Sequence, residues 1–120
     1  MGLTRVTVRI ASLAGDGRPW EADFLVDTGA NDCMAPADRL AEAGVRPEGK
    51  ATYEPANGEP VEYAYGFARV SFMGEETVAQ VIFGPPDVGP ILGAVPLENV
   101  GIAVDPATRT LKRLPARPLK

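Results

Sequence analysis

Near the N-terminus Val6, Val8 and Ile10 alternate with Thr7 and Arg9, the two-residue period of a half-buried strand. Gly and Pro in "LAGDGRP" predict a turn. "WEADFLV" then reads as a second strand that becomes wholly apolar as it approaches Asp27. Residues 36–44, "PADRLAEAG", form the best helical segment, with Pro36 suited to the first turn and Gly44 to the position just past the end. In "TYEPANGEPVEYAYGFARVSF" the Asn57-Gly58 pair predicts a two-residue hairpin turn, from which Val61, Tyr63 and Tyr65 alternate outward. "FARVSFMGEETVAQVIFG" predicts another strand pair around Gly74, with the exposed charges of Glu75 and Glu76 solvated in the turn. After the loop "PPDVGP" comes a second apolar run ending in glycine, "ILG" at 91–93. "PLENVG" predicts a single helical turn or short helix. "IAVDPATRTLKRL" predicts a strand, an Asp105-Pro106 turn and a return strand.

Seven or eight short strands at close spacing, punctuated by Gly and Pro, indicate an all-β barrel or sandwich. The 120 residues suffice for one domain, expected over residues 1–114, with a loose tail at 115–120. There is no internal repeat and no low-complexity segment.

Composition narrows the chemistry. The net charge is −4 and the basic residues are scattered, which argues against nucleic acid or an anionic membrane as partner. Cys33 is the single cysteine and histidine is absent, so neither an internal disulfide nor a Cys/His metal site is available, and no metal or cofactor is expected. Triads built on histidine are excluded as well. Acid–base work near neutral pH falls to carboxylates, Lys, Tyr or Cys. Cys33 has no His partner and has carboxylates nearby, which identifies it as a structural thiol. "MGLTRVTVRIAS" lacks an uninterrupted apolar stretch, so neither a signal peptide nor a membrane span is expected, and a cytoplasmic location is the default.

Against that background "FLVDTGAND", residues 24–32, stands out, because strand interiors avoid aspartate and are weakened by glycine. One reading makes Asp27 a turn cap. Another makes it a placed carboxylate. Thr28 can donate and accept hydrogen bonds beside it, and Gly29 permits close approach of a backbone or ligand. The "ILG" run has the same shape as "FLVDTG", and two such strands can cross and hold the Asp27 loop. If Asp27 acts, it needs a second carboxylate, and the economical source is Asp27 of a second copy across a twofold axis. Carboxylates so close cannot both ionise readily, so the pair shares a proton. One then serves as general base to a water and the other as general acid.

"FLVDTGANDCMA" resembles the active-site segment of the retroviral aspartic proteases, the retropepsins. "ILGAVPLENVGIAV" resembles their second segment, and "NGEPVEYAYG" stands where their mobile flap hairpin does. The resemblance runs over roughly residues 4–105 and is nearest to bacterial single-domain members of the clan. It implies an all-β, closed retropepsin-like barrel with one or two short helices, a flap hairpin and a homodimer sharing one active site. It implies an aspartic endopeptidase acting on a peptide or protein substrate. Asp27 would be the catalytic carboxylate, Thr28 would lock the paired loops, and Gly29 and Ala30 would lie against the substrate. Asn31 and Asp32 would bind its main chain, Met34 and Ile91 would line apolar pockets, and Asn57 and Gly58 would close over it at the flap tip.

Two departures accompany the resemblance. Ala94 stands where the retroviral enzymes carry Arg, and Asn31 stands where that Arg finds an Asp, so both partners of an ion pair are missing together. The chain also continues past the family's usual end. A dimeric peptide-binding or sensor module of the same fold, without catalysis, is the second reading. A nucleotide-binding domain, suggested by a faint likeness of "LVDTGAND" to the phosphate segment of actin-like sugar kinases, conflicts with the chain length and the missing P-loop.

Overall fold

The computed structural model describes residues 4–55 and 57–119. The alternating segment forms β1 (Arg5–Ala11), which lies antiparallel to β2 (Trp20–Val26) with Val8 opposite Ala22 and Ile10 opposite Trp20. Val8, Ile10 and Phe24 are completely buried, as the alternation predicts, and Trp20 packs on Phe24 from the rim. The chain continues through β3 (Cys33–Pro36), α1 (Ala37–Glu42), β4 (Gly49–Tyr53), β5 (Val61–Phe72), β6 (Glu75–Gly84), β7 (Ile91–Leu92), α2 (Ala94–Asn99), β8 (Ile102–Val104) and β9 (Leu111–Arg113).

Seven of the strands form one sheet in the order β1-β2-β7-β3-β6-β5-β4. A further pairing of β1 with β5, Ile10 opposite Val70, closes the first six into a barrel and leaves β4 projecting from β5 as a hairpin. Closure removes the sheet edges that would otherwise expose unpaired backbone groups. Inside it Phe24, Ala68, Val70, Val81 and Leu92 join Val8 and Ile10, and Leu97 of α2 and Ile102 of β8 cap the same core. Each fully buried large aliphatic or aromatic side chain contributes about 1.5–3 kcal/mol. β8 and β9 pair only with each other, Ile102 opposite Arg113.

Both helices are short. Pro36 ends β3 and caps α1 rather than lying inside its first turn. Gly44 follows the C-cap at φ +87°, where its N–H donates to Ala41 and that of Val45 donates to Leu40. That closure satisfies the last carbonyls of so short a helix. α2 starts at Ala94, two residues before the "PLENVG" segment read from the sequence.

The strand pair expected around Gly74 is β5–β6, and its connection is a two-residue turn. Phe72 faces Glu75, and Met73 and Gly74 both have positive φ, which the right-handed twist of a hairpin favours. Glu75 and Glu76 belong to β6 and not to the turn, and they are paired rather than merely solvated. Glu75 bridges Arg113 and Arg117, and Glu76 bridges Arg69. The Arg113 guanidinium also donates to the Met73 carbonyl, which ties β9 to the turn. Asp105 accepts hydrogen bonds from the Ala107 and Thr108 amides, which confirms its role as a turn former.

The Asn57-Gly58 expectation needs correcting. Tyr53 pairs with Val61, so the connection is longer than Asn57-Gly58 and the pair is not a two-residue turn. Gly58 does have positive φ, and its N–H donates to the Pro55 carbonyl, while the Asn57 side chain accepts from the Glu59 amide. A local turn forms, but prolines at 55 and 60 flank it and do not extend the β ladder across it.

The backbone is tightly packed at Gly93, where a β-carbon would meet the Asp32 carbonyl oxygen and lie 2.6 Å from the Asn31 carbonyl carbon. Gly93→Ala should therefore destabilise the protein by about 1–3 kcal/mol through overpacking. Gly89→Ala, at an exposed glycine with open space around it, should change stability by less than about 0.5 kcal/mol. Denaturant unfolding of the two variants checks the contrast, and equal effects would contradict the packing at Gly93.

Candidate active site

The site is assembled from three chain segments that meet at one rim of the barrel. β7 lies between β2 and β3, parallel to β2 (Leu25 beside Ile91, Val26 beside Leu92) and antiparallel to β3 (Met34 opposite Ile91). Where β2 ends, the Asp27 N–H donates to the Leu92 carbonyl at 3.0 Å, and the Ala30 N–H donates to the Asp27 carbonyl at 3.1 Å. The loop 27–30 thus turns sharply from a pinned start. The two "apolar strand, then glycine" segments do lie side by side and hold it.

The second support comes from α2. Its first amides, Ala94 and Val95, donate to the carbonyls of Ala30 (2.8 Å) and Asn31 (2.9 Å). A helix leaves its first N–H groups without internal partners, and the N-cap Gly93 has no side chain to satisfy them. The Asp27 loop supplies the acceptors instead. Gly93 is therefore the point where the second segment lies directly against Asn31 and Asp32.

Within this frame Asp27, Thr28 and Gly29 are exposed. The Asp27 Oδ1 accepts from the Gly29 N–H at 3.0 Å, which orients the carboxylate. Among the described residues its Oδ2 and the Thr28 hydroxyl have no hydrogen-bond partner. Ala30 is half-buried and Asn31 is exposed. Cys33 is fully buried, and burial pushes its thiol up to about 12, with the nearby Asp32 charge adding to the rise against a hydrogen bond with the Gly93 backbone. A thiol so protonated is structural.

One face runs from the loop to the hairpin. Cys33 and Ala35 point into the core, so Asp32 and Met34 point to the other side. Met34 lies beside both Ile82 of β6 and Ile91 of β7, and Ile82 is opposite Tyr65 of β5. Met34 and Ile91 are thus neighbours in the sheet. Tyr65 is opposite Gly49, and Tyr53 and Tyr63 share its face of the β4–β5 hairpin. Tyr53 packs on Tyr63 (ring centroids 6.2 Å apart), and its hydroxyl accepts from Gln80 Nε2 at 3.4 Å. Asn57 and Gly58 sit exposed in the hairpin connection, and among the described residues no hydrogen bond joins them to the Asp27 loop. Gln80 and Ile82 were not legible as site residues. The segment was legible as a strand, but nothing in the sequence said that β6 runs beside β3.

Asp32 is half-buried on this face, and loss of hydration raises its carboxyl above the ordinary value. Among the described residues it has neither an ion pair nor a side-chain hydrogen bond. Tyr53 is raised as well, first by burial and further by the Asp32 charge, against the Gln80 hydrogen bond. A concavity of about 240 Å³ lined by Ser12, Leu13, Asp16, Arg46 and Phe67 shares no residue with the Asp27 loop.

The Asp32 carboxyl binds its proton more tightly in the folded state. Its effect on stability is therefore neutral below the unfolded value of 3.8 and becomes unfavourable as pH rises through the raised folded value. Asp32→Asn should raise the melting temperature at neutral pH and leave it unchanged below about pH 3. Calorimetry across that range checks this, and a lower melting temperature at neutral pH would contradict it.

No family model and no curated protein matches the sequence. Among solved structures the chain is similar to the solution structure of the simian foamy virus (mac) protease, with a TM-score of 0.54 at 16% identity. The match covers 78% of this chain and 90% of that one. At such identity the likeness concerns the path of the backbone: the six-stranded barrel with its two short helices is the fold of a retropepsin-like protease.

Proposed function

We propose that the protein is an aspartic endopeptidase that works as a homodimer, with one Asp27 from each subunit at a shared site. The observation that carries this reading is the exposed Asp27 carboxylate, oriented by Gly29 and mounted on a loop pinned to Leu92 and α2. A carboxylate placed so firmly and left open on one side is suited to meeting a ligand or a second copy of itself. The unpartnered Thr28 hydroxyl beside it is suited to a bond across the same axis.

In the proposed dimer the two carboxylates share one proton. The ionised member accepts a proton from a water as that water attacks the peptide carbonyl carbon, and the protonated member donates to the carbonyl oxygen. Proton transfer to the amide nitrogen then allows the C–N bond to break. The face bearing Met34, Ile82, Ile91 and the hairpin tyrosines would receive an extended peptide, with the β4–β5 hairpin as its cover.

The second reading, a dimeric peptide-binding module without catalysis, is favoured by one feature. Asn31 and Ala94 bring no charged pair to the loop, and among the described residues the loop meets α2 through backbone bonds, Ala94 N–H to Ala30 and Val95 N–H to Asn31. Asp27→Asn separates the two readings. Asn keeps an oxygen to accept the Gly29 N–H, so the fold and peptide binding should persist while peptide-library cleavage falls by at least about 10²-fold. Unchanged cleavage would remove Asp27 from the mechanism, and wild type that binds but never cleaves would establish the module. Cleavage should peak at mildly acidic pH and decline as the second carboxylate ionises; a rate still climbing above neutral pH would contradict a shared proton. Sedimentation at assay concentration should show a dimer, and a strict monomer would overturn the shared site.

A further inference from the structure

The strand end that presents Asp27 is held from two sides. On one side the Leu25 and Asp27 amides donate to the Pro90 and Leu92 carbonyls at 2.9 and 3.0 Å. On the other the Val26 amide donates to the Thr4 carbonyl at 2.8 Å. Thr4 lies just outside β1, whose pairing with β2 starts at Arg5 opposite Leu25. A residue past the end of a ladder frays unless something ties it down. The amide just before Asp27 therefore relies on a support that β1 does not itself secure.

The anchor comes from the β8–β9 turn. The Thr4 hydroxyl donates to the Arg109 carbonyl at 2.6 Å. That turn is densely hydrogen-bonded for its size. The Asp105 amide donates to the Thr110 carbonyl at 2.8 Å, and the Arg109 amide donates to the Asp105 carbonyl at 2.7 Å. The Asp105 carboxylate takes the Ala107 and Thr108 amides, and the Thr108 and Thr110 hydroxyls bond each other at 2.7 Å. Arg109 takes φ +58°, a left-handed conformation that costs energy outside glycine and persists where the surroundings hold it. A carbonyl fixed in this way is a firm acceptor. The turn lies at and beyond the end of the segment that resembles the retropepsins, so the contact belongs to this chain's own extension.

We infer that the β8–β9 turn positions Asp27. The Arg109 carbonyl fixes Thr4, Thr4 fixes the Val26 amide, and the carboxylate on the next residue inherits that placement. Thr4 is thus a positioning residue, acting through Val26 rather than on the substrate. The consequence for turnover rests on the endopeptidase proposed above; the consequence for the Asp27 loop does not. Rates fall steeply when a reacting group is displaced, whereas affinity for an extended peptide draws on the whole cleft.

The test uses the full-length protein with Thr4→Val, which removes the donor but keeps the branched shape and the backbone carbonyl, and Thr4→Ser, which restores the donor. Amide NMR and hydrogen exchange follow the loop without requiring cleavage. In Thr4→Val the Val26 amide should exchange about tenfold faster, while the β5 amides exchange as in wild type. The Gly29 resonance should move, because its N–H bonds the Asp27 carboxylate. In peptide-library cleavage kcat should fall about tenfold or more, with KM changed less than about twofold. Thr4→Ser should restore all of these. Val26 and Gly29 amides that match wild type in Thr4→Val would overturn the inference. So would exchange that quickens equally throughout β5, a loss that Thr4→Ser does not restore, or a displaced loop with kcat unaltered. If wild type cleaves no peptide, the endopeptidase reading falls and the amide measurements alone decide the inference. If wild type cleaves and Thr4→Val leaves the amides undisturbed, the inference falls and the endopeptidase reading stands.

Discussion

The two-residue strand β7, inserted between β2 and β3, is the constraint on which the site depends. Its Leu92 carbonyl takes the Asp27 N–H, its Ile91 lies between Leu25 and Met34, and the glycine that follows allows contact with Asn31 and Asp32. Buried backbone groups need partners, and here the partners are reciprocal. The Asp27 loop lacks a ladder of its own and borrows one from β7. The first turn of α2 lacks a side-chain cap and borrows carbonyls from the Asp27 loop. Neither segment would hold its conformation without the other.

This arrangement puts three neighbouring titratable groups in three environments. Asp27 is exposed at the rim, Asp32 is half-buried, and Cys33 is enclosed in the core. The alternating direction of side chains along an extended segment separates Asp32 from Cys33, although they are adjacent in the chain. The result is a protonated thiol that takes no part in chemistry and a carboxylate that gives up hydration without acquiring a partner. In a chain without histidine, such differences in surroundings are the available means of diversifying acid–base behaviour.

Elsewhere the charges serve attachment. Arg113 and Arg117 converge on Glu75, and Arg113 also reaches the Met73 carbonyl at the tip of the β5–β6 hairpin. The partners are largely exposed, so each pair adds little alone. Together with the Leu114 N–H bond to Gly101 they keep the β8–β9 hairpin on its own barrel. β9 is thus already paired to β8 within the chain.

Much of this was legible along the chain. Alternation in β1, the strand pair turning at Gly74, the Gly44 stop and the Asp105 turn each depend on neighbours in sequence, where steric and hydrogen-bonding preferences act directly. The Asn57-Gly58 expectation erred because the same local preference forms a turn without dictating that strands meet at it; the flanking prolines decided where pairing ends. The pairing of "FLVDTG" with "ILG" could be suspected from their similar shape, and the structure supplies the parallel register and the Leu92 bond. Gln80, Ile82 and the setting of Asp32 were not legible, because they depend on β6 lying beside β3 and on the hairpin bringing Tyr53 to Gln80. Sequence alone determined which residues could carry acid–base chemistry and where the chain must turn, since composition and local sterics suffice for both. Only the tertiary structure decided which carboxylate stays open to solvent and which is half-buried without a partner, because hydration depends on what distant strands bring alongside.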